Sequence, residues 1–494
     1  MKQYFVGVDL GSANVVMVVG SREEGQQDIN IEGISIQNSR KSIKQGRIST
    51  MLNSAVVNLG STISQAKEEL EEELGIKIEQ CYFGIGDSNT RCVILEDMLP
   101  VKNKRTGTIA NEDITNLRNQ MAQIKPESRA EGVWEYSPLC YFVNGKKQTL
   151  DPIGMQGSWL KGRYMLTVGM NDQHTYLKHL HHRVGMEIQN IFAMPTITFP
   201  LFVSETEAKE GVVIVDIGHE VTDVTVVRDN RVQFFRSLPV GAEFIDSDLK
   251  SILPPHSNLS KIKHCYGRAL SSKSPENEVI KDGNKEIYRR NIATVIEARL
   301  MDIAELVSNV VKESGFEDFI PHGYVLTGGS ASIDMIDELF ERELNHPCRK
   351  ADKLYGINVK NNMLITPVEH AAVAVILQAS KFAPSYVKEL DVIDVTQPEE
   401  QVEQTTPAKV KVTPPQRPAT TPLPEQPEPE VKVEVEVEDT SEQKEQTTPP
   451  TDTDSSDDAE QQQEQAAAGH NKQNVLGKFF RYISRQMGGD DKVK

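Results

Sequence analysis

Phe5-Val6-Gly7-Val8-Asp9-Leu10-Gly11-Ser12-Ala13-Asn14 stands near the start of the chain, and an apolar run at 15–19 follows it directly. Much further on the pattern returns as Val212-Val213-Ile214-Val215-Asp216-Ile217-Gly218-His219, followed by Thr222-Asp223-Val224-Thr225-Val226-Val227. Each copy reads as a buried strand, an aspartate, a glycine-bearing turn and a second strand. That is the outline of a β-hairpin whose tip can approach a phosphate. Two such hairpins predict a duplicated core with a cleft between its halves. A third stretch, Tyr324-Val325-Leu326-Thr327-Gly328-Gly329-Ser330-Ala331, leads into a helical pattern through Ile333, Ile336, Leu339 and Phe340. A strand ending in Gly-Gly at a helix start lets a ligand approach the backbone near the positive end of the helix dipole.

Together these three pieces point to a nucleotide. Turn glycines leave backbone N–H groups free to cradle phosphate oxygens. Asp9 and Asp216, at the two strand ends, are placed to orient Mg2+ through water, because Mg2+ gives up its hydration reluctantly. Gly328 and Gly329 leave room for a flat base or ribose. Singly, an Asp-x-Gly turn is more often just a hairpin, so the reading rests on the order and separation of all three. No Gly-x-x-x-x-Gly-Lys-Ser/Thr run exists, which excludes a P-loop. Gly84-Ile85-Gly86 is a lone GxG without the rest of a dinucleotide fingerprint. His174, His179, His181 and His182 crowd one helical segment without ligand spacing and read as a solvated face.

The chain has 494 residues, 38% of them hydrophobic, enough for two or more sizeable lobes. Residues 1–392 alternate strand-like runs with helical patterns, as in an α/β protein. The formal net charge is −18, and the segment 397–470 supplies most of the excess. An acidic body without a basic patch argues against nucleic acid as the main partner. Cys81, Cys92, Cys140, Cys265 and Cys348 are scattered with no CxxC, and reduced thiols in a cytoplasmic protein are the expectation. Met1-Lys2-Gln3 runs into a short apolar run at 4–8 that Asp9 interrupts, too short for a signal peptide. No apolar run is long enough to span a bilayer, so any membrane contact is expected to be peripheral.

Residues 393–473 are rich in Pro, Glu, Gln and Thr and cannot bury enough apolar surface to offset their chain entropy, so a disordered acidic tether is expected. Within it, the alternation VKVEVEVE at 431–438 reads as a solvated extended segment. A short basic amphipathic stretch follows. On a helix at about 100° per residue, Val475, Leu476, Phe479, Phe480, Ile483 and Met487 share one arc of about 140°. Lys478, Arg481 and Arg485 fall opposite, and Tyr482 lies at the edge. The stretch spans about 20 Å, short of the roughly 30 Å hydrocarbon core. It fits the plane of an anionic membrane surface, with docking on a partner or on the protein's own core as the alternatives. Its place beyond a long tether favours the membrane.

The two hairpins and the Gly-Gly stretch resemble the two phosphate loops and the adenosine loop of the actin, heat-shock chaperone and sugar kinase superfamily. More narrowly, residues 1–390 and the terminal helix resemble the FtsA family of bacterial cell-division proteins. Leu238-Pro239-Val240-Gly241 with Asp246-Ser247-Asp248-Leu249 matches the segment after the family's second phosphate hairpin. Ile262-Lys263 leading to Tyr266-Gly267 is similar to its Lys…Gly element near the nucleotide, and Val295-Ile296-Glu297-Ala298-Arg299 to its Ile-Glu-Pro-Arg helix. Asp151-Pro152-Ile153-Gly154-Met155-Gln156-Gly157 looks like the Asn-Pro-Val-Gly-Leu-x-Gly run of the subdomain peculiar to that family.

The resemblance implies an actin-like duplicated ATPase fold of four subdomains. Lobe 1 would comprise 1–86, 165–203 and a return at 367–392, with the family-specific subdomain inserted at 87–164. Lobe 2 would comprise 204–236 and 303–366, with an upper subdomain at 237–302. The tether at 393–473 and the helix at 474–488 complete the chain. It further implies ATP with Mg2+ in the cleft, held by Asp9, Gly11, Ser12, Ala13, Asn14, Asp216, Gly218, Lys263, Gly328, Gly329 and Ser330. Implied partners are a second copy in a polymer, the C-terminal tail of the tubulin-like protein FtsZ, later division proteins through 87–164, and the cytoplasmic face of the inner membrane at the division site. Arg289, Arg290 and Arg299 are the candidates for meeting the acidic FtsZ tail. The departures that bear on the nucleotide are these: His219, Glu220 and Val221 replace Gly-Gly-Thr, Ser260 stands for a frequent Glu, and Asn14 for a frequent Lys. They predict a slow or negligible ATPase. A metabolite kinase or a pilus-assembly adaptor on the same fold are the competing readings, and a chaperone would need a β-rich substrate domain that has no counterpart here.

Overall fold

The chain begins with a three-stranded meander, β1 (Lys2–Leu10), β2 (Asn14–Glu23) and β3 (Ile29–Asn38). The small hairpin β4 (Ile43–Lys44) and β5 (Arg47–Ile48) and the long helix α1 (Asn53–Leu74) follow, then β6 (Gln80–Ile85). An inserted unit holds β7 (Arg91–Pro100), α2 (Asn111–Met121), β8 (Glu131–Val143), β9 (Lys147–Thr149) and β10 (Trp159–Met170). The chain returns through α3 (Asn171–Val184), β11 (Glu187–Ala193) and the short helices α4 (Met194–Ile197), α5 (Phe199–Phe202) and α6 (Glu205–Glu210). A second meander is β12 (Val212–Ile217), β13 (Thr222–Arg228) and β14 (Arg231–Leu238). Above it stand α7 (Ala242–Leu249), α8 (Leu259–Tyr266) and the hairpin β15 (Val279–Asp282) and β16 (Lys285–Tyr288), before α9 (Arg289–Ser314). The remaining elements are β17 (Tyr324–Thr327), α10 (Ile336–Leu344), β18 (Cys348–Lys350), β19 (Ile357–Val359) and α11 (His370–Phe382).

This computed structural model describes residues 2–382 apart from 40–41, 49–52, 104, 127, 146, 284 and 360–362. The tether at 393–473, the alternating segment 431–438 and the terminal helix at 474–488 lie outside the described residues, as do the side chains of His174, His179, His181 and His182. Among the described residues no helix is long and apolar enough to cross a membrane. The five cysteines are all free thiols.

The sheets carry the duplication. One is six-stranded, β11-β6-β1-β2-β3-β19, and the other nine-stranded, β18-β17-β12-β13-β14-β7-β10-β8-β9. In the first, β11, β6 and β1 run parallel, and β2 and β3 continue antiparallel. In the second, β18, β17 and β12 run parallel, and β13 and β14 continue antiparallel. Order and sense are the same in both, so β1 corresponds to β12 and β6 to β17.

Burial on both faces explains why these strands read as nearly unbroken apolar runs. Val6, Val8, Leu10, Val15, Met17 and Val19 pack with Leu59, Ile63, Ala66 and Leu70 of α1. Phe5, Val16 and Val18 pack on the other side with Ala372, Val373, Val375 and Ile376 of α11. Gly7 is what lets α11 lie so close, since a Cβ there would sit 2.7 Å from Ile376 Cγ2 and 2.8 Å from the Ala372 carbonyl oxygen. In lobe 2, α9 carries a stripe of Ile292, Ile296, Leu300, Ile303 and Val307 and ends at Gly315 in the left-handed conformation, φ 72°.

The inserted unit has its own core of Leu99, Leu117, Met121, Tyr141, Leu160, Tyr164 and Val168. The run 151–157 is locked backbone to backbone against the segment just before α2: Gly154 N–H donates to Ile109 O at 2.9 Å, Ile109 N–H to Met155 O at 2.9 Å, and Gly157 N–H to Gly107 O at 2.8 Å. Its outer strand β7 meets β14 of lobe 2 at Arg91 and Arg236, and Ser237 N–H donates to Thr90 O at 2.9 Å. A unit inserted in lobe 1 therefore extends the sheet of lobe 2. Three expected boundaries fall inside elements: β10 runs on past 164 to Met170, β14 past 236 to Leu238, and α9 past 302 to Ser314.

Candidate functional site

The two meander hairpins, β17 and α8 surround one cavity of about 560 Å³. That is the size range of small-molecule and cofactor pockets, roughly 300–1,000 Å³. Asp9, Gly11, Ser12, Ala13 and Asn14 reach it from the first turn, Asp216 and Gly218 from the second, Lys263 from α8, and Gly328, Gly329 and Ser330 from the end of β17. The structure thus brings every residue of the expected nucleotide set to one place. Ser260 and His264 of α8, Asp246 of α7, and Ser39, Gly86, Glu220 and Asp223 also line it.

Each turn is held by different means. In the first, Ser12 Oγ accepts from Gly46 N–H at 3.2 Å, and the Ser39 hydroxyl donates to the Ser12 carbonyl oxygen. In the second, the backbone N–H groups of Ala242 and Glu243 at the start of α7 donate to Gly218 O at 3.0 Å and His219 O at 2.7 Å. Gly241 permits that approach, because a Cβ there would lie 2.6 Å from His219 O. No residue of 218–221 has a positive φ, so side chains at 219–221 fit a turn that is glycine-rich in the resembling family. The Glu220 side chain does not turn into the cavity centre: its carboxylate accepts from the backbone N–H of Gln45 in lobe 1.

The Gly-Gly element needs one correction. α10 does not begin at the glycines; a 3₁₀ turn (Gly329–Ser332) intervenes and α10 starts at Ile336, after Met335 at φ 61°. The positive end of α10 is therefore displaced from Gly329. Close approach is still what the glycine provides. Gly328, at φ 83°, passes over the second hairpin so tightly that a Cβ would sit 2.3 Å from Asp216 Oδ1 and 2.7 Å from Ile217 O.

Three carboxylates share the cleft. Burial leads in raising each: Asp9 is pushed up to about 7, with the charges of Asp216 and Asp223 adding to it. Asp216 is pushed up to about 6, and Asp223 to about 7 with Asp216 as its next cause. Like charges opposite each other on paired strands are unfavourable, and Asp216 and Asp223 are such a pair. A hard cation is the natural counter-charge. Among the described residues no group of three or more His, Cys, Asp or Glu side chains is placed to hold a metal ion, and these carboxylates suit an ion that keeps its water. The one Lys or Arg among the lining residues, Lys263, is buried and paired with Asp246 at 2.7 Å. Ser330 is 2% exposed and its Oγ has no hydrogen-bond partner, an orphaned polar atom on the wall of a ligand-sized cavity.

Two of these contributions were missed in the sequence. Asp223 is readable in hindsight, since a four-residue turn at 218–221 forces 223 opposite 216. Gly86 belongs to the GxG that looked isolated. Asp9 pairs with Gly84 as Asp216 pairs with Thr327, so Gly84-Ile85-Gly86 is the lobe 1 counterpart of Thr327-Gly328-Gly329. The arginines expected to meet an acidic peptide are placed elsewhere, on α9 of lobe 2, and each has a partner within the fold. Arg289 binds Glu278 at 3.0 Å, Arg290 binds Glu276 at 2.5 Å, and Arg299 binds Asp248 at 2.7 Å and Asp302 at 3.1 Å.

Twin lobes of identical strand order, a cavity between their hairpins and a glycine-lined wall define an actin-like protein. A solved type IV pilus biogenesis complex, PilM-PilN, shares the fold with a TM-score of 0.54 at 12% sequence identity, covering 76% of this chain and 98% of that one. A sequence profile described as Cell division protein FtsA matches residues 213–376. The Cell division protein FtsA of Streptococcus pneumoniae is 27% identical over 390 residues, covering 77% of this chain and 80% of that protein. The one from Pseudomonas aeruginosa is 25% identical over 384 residues, covering 75% and 88%. By sequence the chain is thus similar to the FtsA family of cell-division proteins, through a profile match within lobe 2 and relatives that cover about three quarters of it.

Proposed function

We propose that this protein anchors the FtsZ ring to the cytoplasmic membrane during bacterial division and promotes its assembly by nucleotide-dependent, actin-like polymerisation. What supports the reading most is that sequence relatives named as division proteins match about three quarters of this chain and four fifths or more of their own length. ATP is the ligand for the cleft: glycine turns for its phosphates, Lys263 beside them, and Ser330 near Gly328 and Gly329 for the nucleoside. Asp9 and Asp216 orient a hydrated Mg2+, which supplies the counter-charge. His219, Glu220 and Val221 replace the glycines and threonine of the family's second phosphate turn, so turnover is slow and nucleotide acts as a structural ligand that favours one cleft state.

The helix at 474–488, with Phe479, Phe480 and Ile483 down and Lys478, Arg481 and Arg485 toward anionic headgroups, supplies the membrane contact. One such helix binds weakly, and a polymer of many binds stably through avidity. The upper subdomain of lobe 2 takes the FtsZ tail. Arg290, the most exposed of the three candidates at 45%, sits in the ion pair easiest to exchange for an acidic peptide. The inserted unit meets later division proteins. Fold likeness to the pilus complex is structural alone and gives no separate support to a pilus role.

The test is liposome co-sedimentation of FtsZ with the full protein and with a version ending at Gln473. Recruitment only by the full protein is the expected result, and equal recruitment by both sinks the tethering reading.

A further inference from the structure

The hairpin β4–β5 touches both phosphate turns, Ser12 of the first and Glu220 of the second. Its loop, Gln45-Gly46, has φ of 49° and 75°, so both residues are left-handed, the geometry of a two-residue type I′ turn. Glycine adopts it freely, whereas glutamine is strained there. The surroundings hold it. Gln45 O accepts from Ser88 N–H at 3.1 Å, Gln45 N–H donates to the Glu220 carboxylate, and Gly46 N–H donates to Ser12 Oγ at 3.2 Å. The tip is seated firmly, since a Cβ on Gly46 would come within 2.2 Å of Gly86 O. The other end of the hairpin is fixed to the first turn of α3. Arg47 pairs with Asp172 at 2.9 Å, and Ile48 N–H donates to Gln173 Oε1 at 2.8 Å. That turn follows β10 without a break, so it is the root of the inserted unit.

We propose that Glu220 is a cross-cleft latch: from the second turn in lobe 2 it caps the strained tip of β4–β5 in lobe 1, and the hairpin carries the state of the cleft to the root of the inserted unit. A charged carboxylate on a backbone N–H is among the stronger hydrogen bonds, and here it spans the gap that must widen when the lobes part. Resting on the nucleotide reading, the latch is also what a polyphosphate entering between the turns displaces, because both are anions seeking the same N–H groups. Arg47 and Gln173 turn that displacement into a movement at Asn171–Val184.

Hydrogen exchange on the full chain without nucleotide tests the latch by itself. Glu220→Ala should speed exchange of the amides in 43–48 by about tenfold, the scale of one charge-assisted hydrogen bond. It should also speed the amides at 172–175, and leave β12 and β13 unchanged. Glu220→Gln, which keeps an acceptor and the shape, should give a smaller rise at the same positions, and serves if the alanine protein folds poorly. Unchanged exchange at 43–48 in both variants overturns the latch, and a rise at 43–48 without one at 172–175 overturns the transmission to the inserted unit. Binding of a fluorescent ATP analogue is measured separately. Its absence would defeat the nucleotide reading while leaving the exchange result intact.

Discussion

The two lobes run their five core strands in one order, yet they hold equivalent positions by unlike means. Where lobe 1 has Gly84 beside Asp9, lobe 2 has Thr327 beside Asp216. Where lobe 1 secures its turn with serine side chains, lobe 2 uses the backbone at the start of α7. Strand order follows from apolar pattern and tolerates these differences. Turn chemistry does not follow from the pattern, because it depends on which element happens to reach the tip.

The glycines give the largest contrast. A Cβ at Gly328 meets backbone and the Asp216 carboxylate in a left-handed conformation, whereas one at Gly84 meets Met194 Sδ at 2.2 Å and Val375 Cγ2 at 2.6 Å, which are side chains. Gly328→Ala should cost about 3–5 kcal/mol in urea unfolding, and Gly84→Ala about 1–2 kcal/mol because methionine repacks. Equal costs would break the comparison.

Lys263 is next. Its side chain is 5% exposed and that of Asp246 15%, and lobe 1 offers no corresponding ion pair among the residues lining the cavity. Lys263→Met should destabilise by about 3 kcal/mol, since removing one partner leaves a carboxylate buried and unpaired. Adding Asp246→Leu should recover part of that loss, and a double-mutant cycle by thermal unfolding measures it.

His370 sharpens the contrast between Thr327 and Gly84. Its ring Nδ1 lies 2.8 Å from Thr327 Oγ1, a hydrogen bond that Gly84 cannot make. Burial pushes His370 down from the usual range to about 4. The unfolded chain therefore takes up the proton first. Stability should be full above about pH 6.5 and fall by up to about 3 kcal/mol as pH drops toward 4. Denaturation across that window should be flatter in His370→Gln.

The smallest effect concerns Asp223, which has no counterpart facing Asp9, where β2 places Val16. Asp223 is raised, so its carboxyl favours the fold when protonated and the benefit is lost as pH climbs through about 7. In EDTA, Asp223→Asn should match the parent below about pH 4, pull ahead as pH rises toward 7, and exceed it by about 1–2 kcal/mol at pH 8. Added Mg2+ should narrow that gap, and a gap independent of both pH and Mg2+ would remove the cation from the account.

Much of this was legible in the chain. Phe5 to Val19 and Val212 to Val227 announced two buried hairpins because strands covered on both faces must be apolar throughout, and their repetition announced the cleft. The aspartates and glycines at their ends named most of the cavity wall. Asp223 and Gly86 were not legible, since their roles come from register with Asp216 and from the pairing of β6 with β1, which join residues far apart in sequence. Glu220 was legible as a charge in a phosphate turn, but its partner Gln45, from the other lobe, was not, for the same reason.

Sequence by itself determined the duplicated α/β architecture, the cleft and the family resemblance, because periodicity and turn glycines are local properties of the chain. The tertiary structure decided which side chains pair across the cleft, where α10 begins, and that the inserted unit joins the sheet of lobe 2 through Arg91 and Arg236. Those outcomes depend on distances between segments, and no local pattern encodes them.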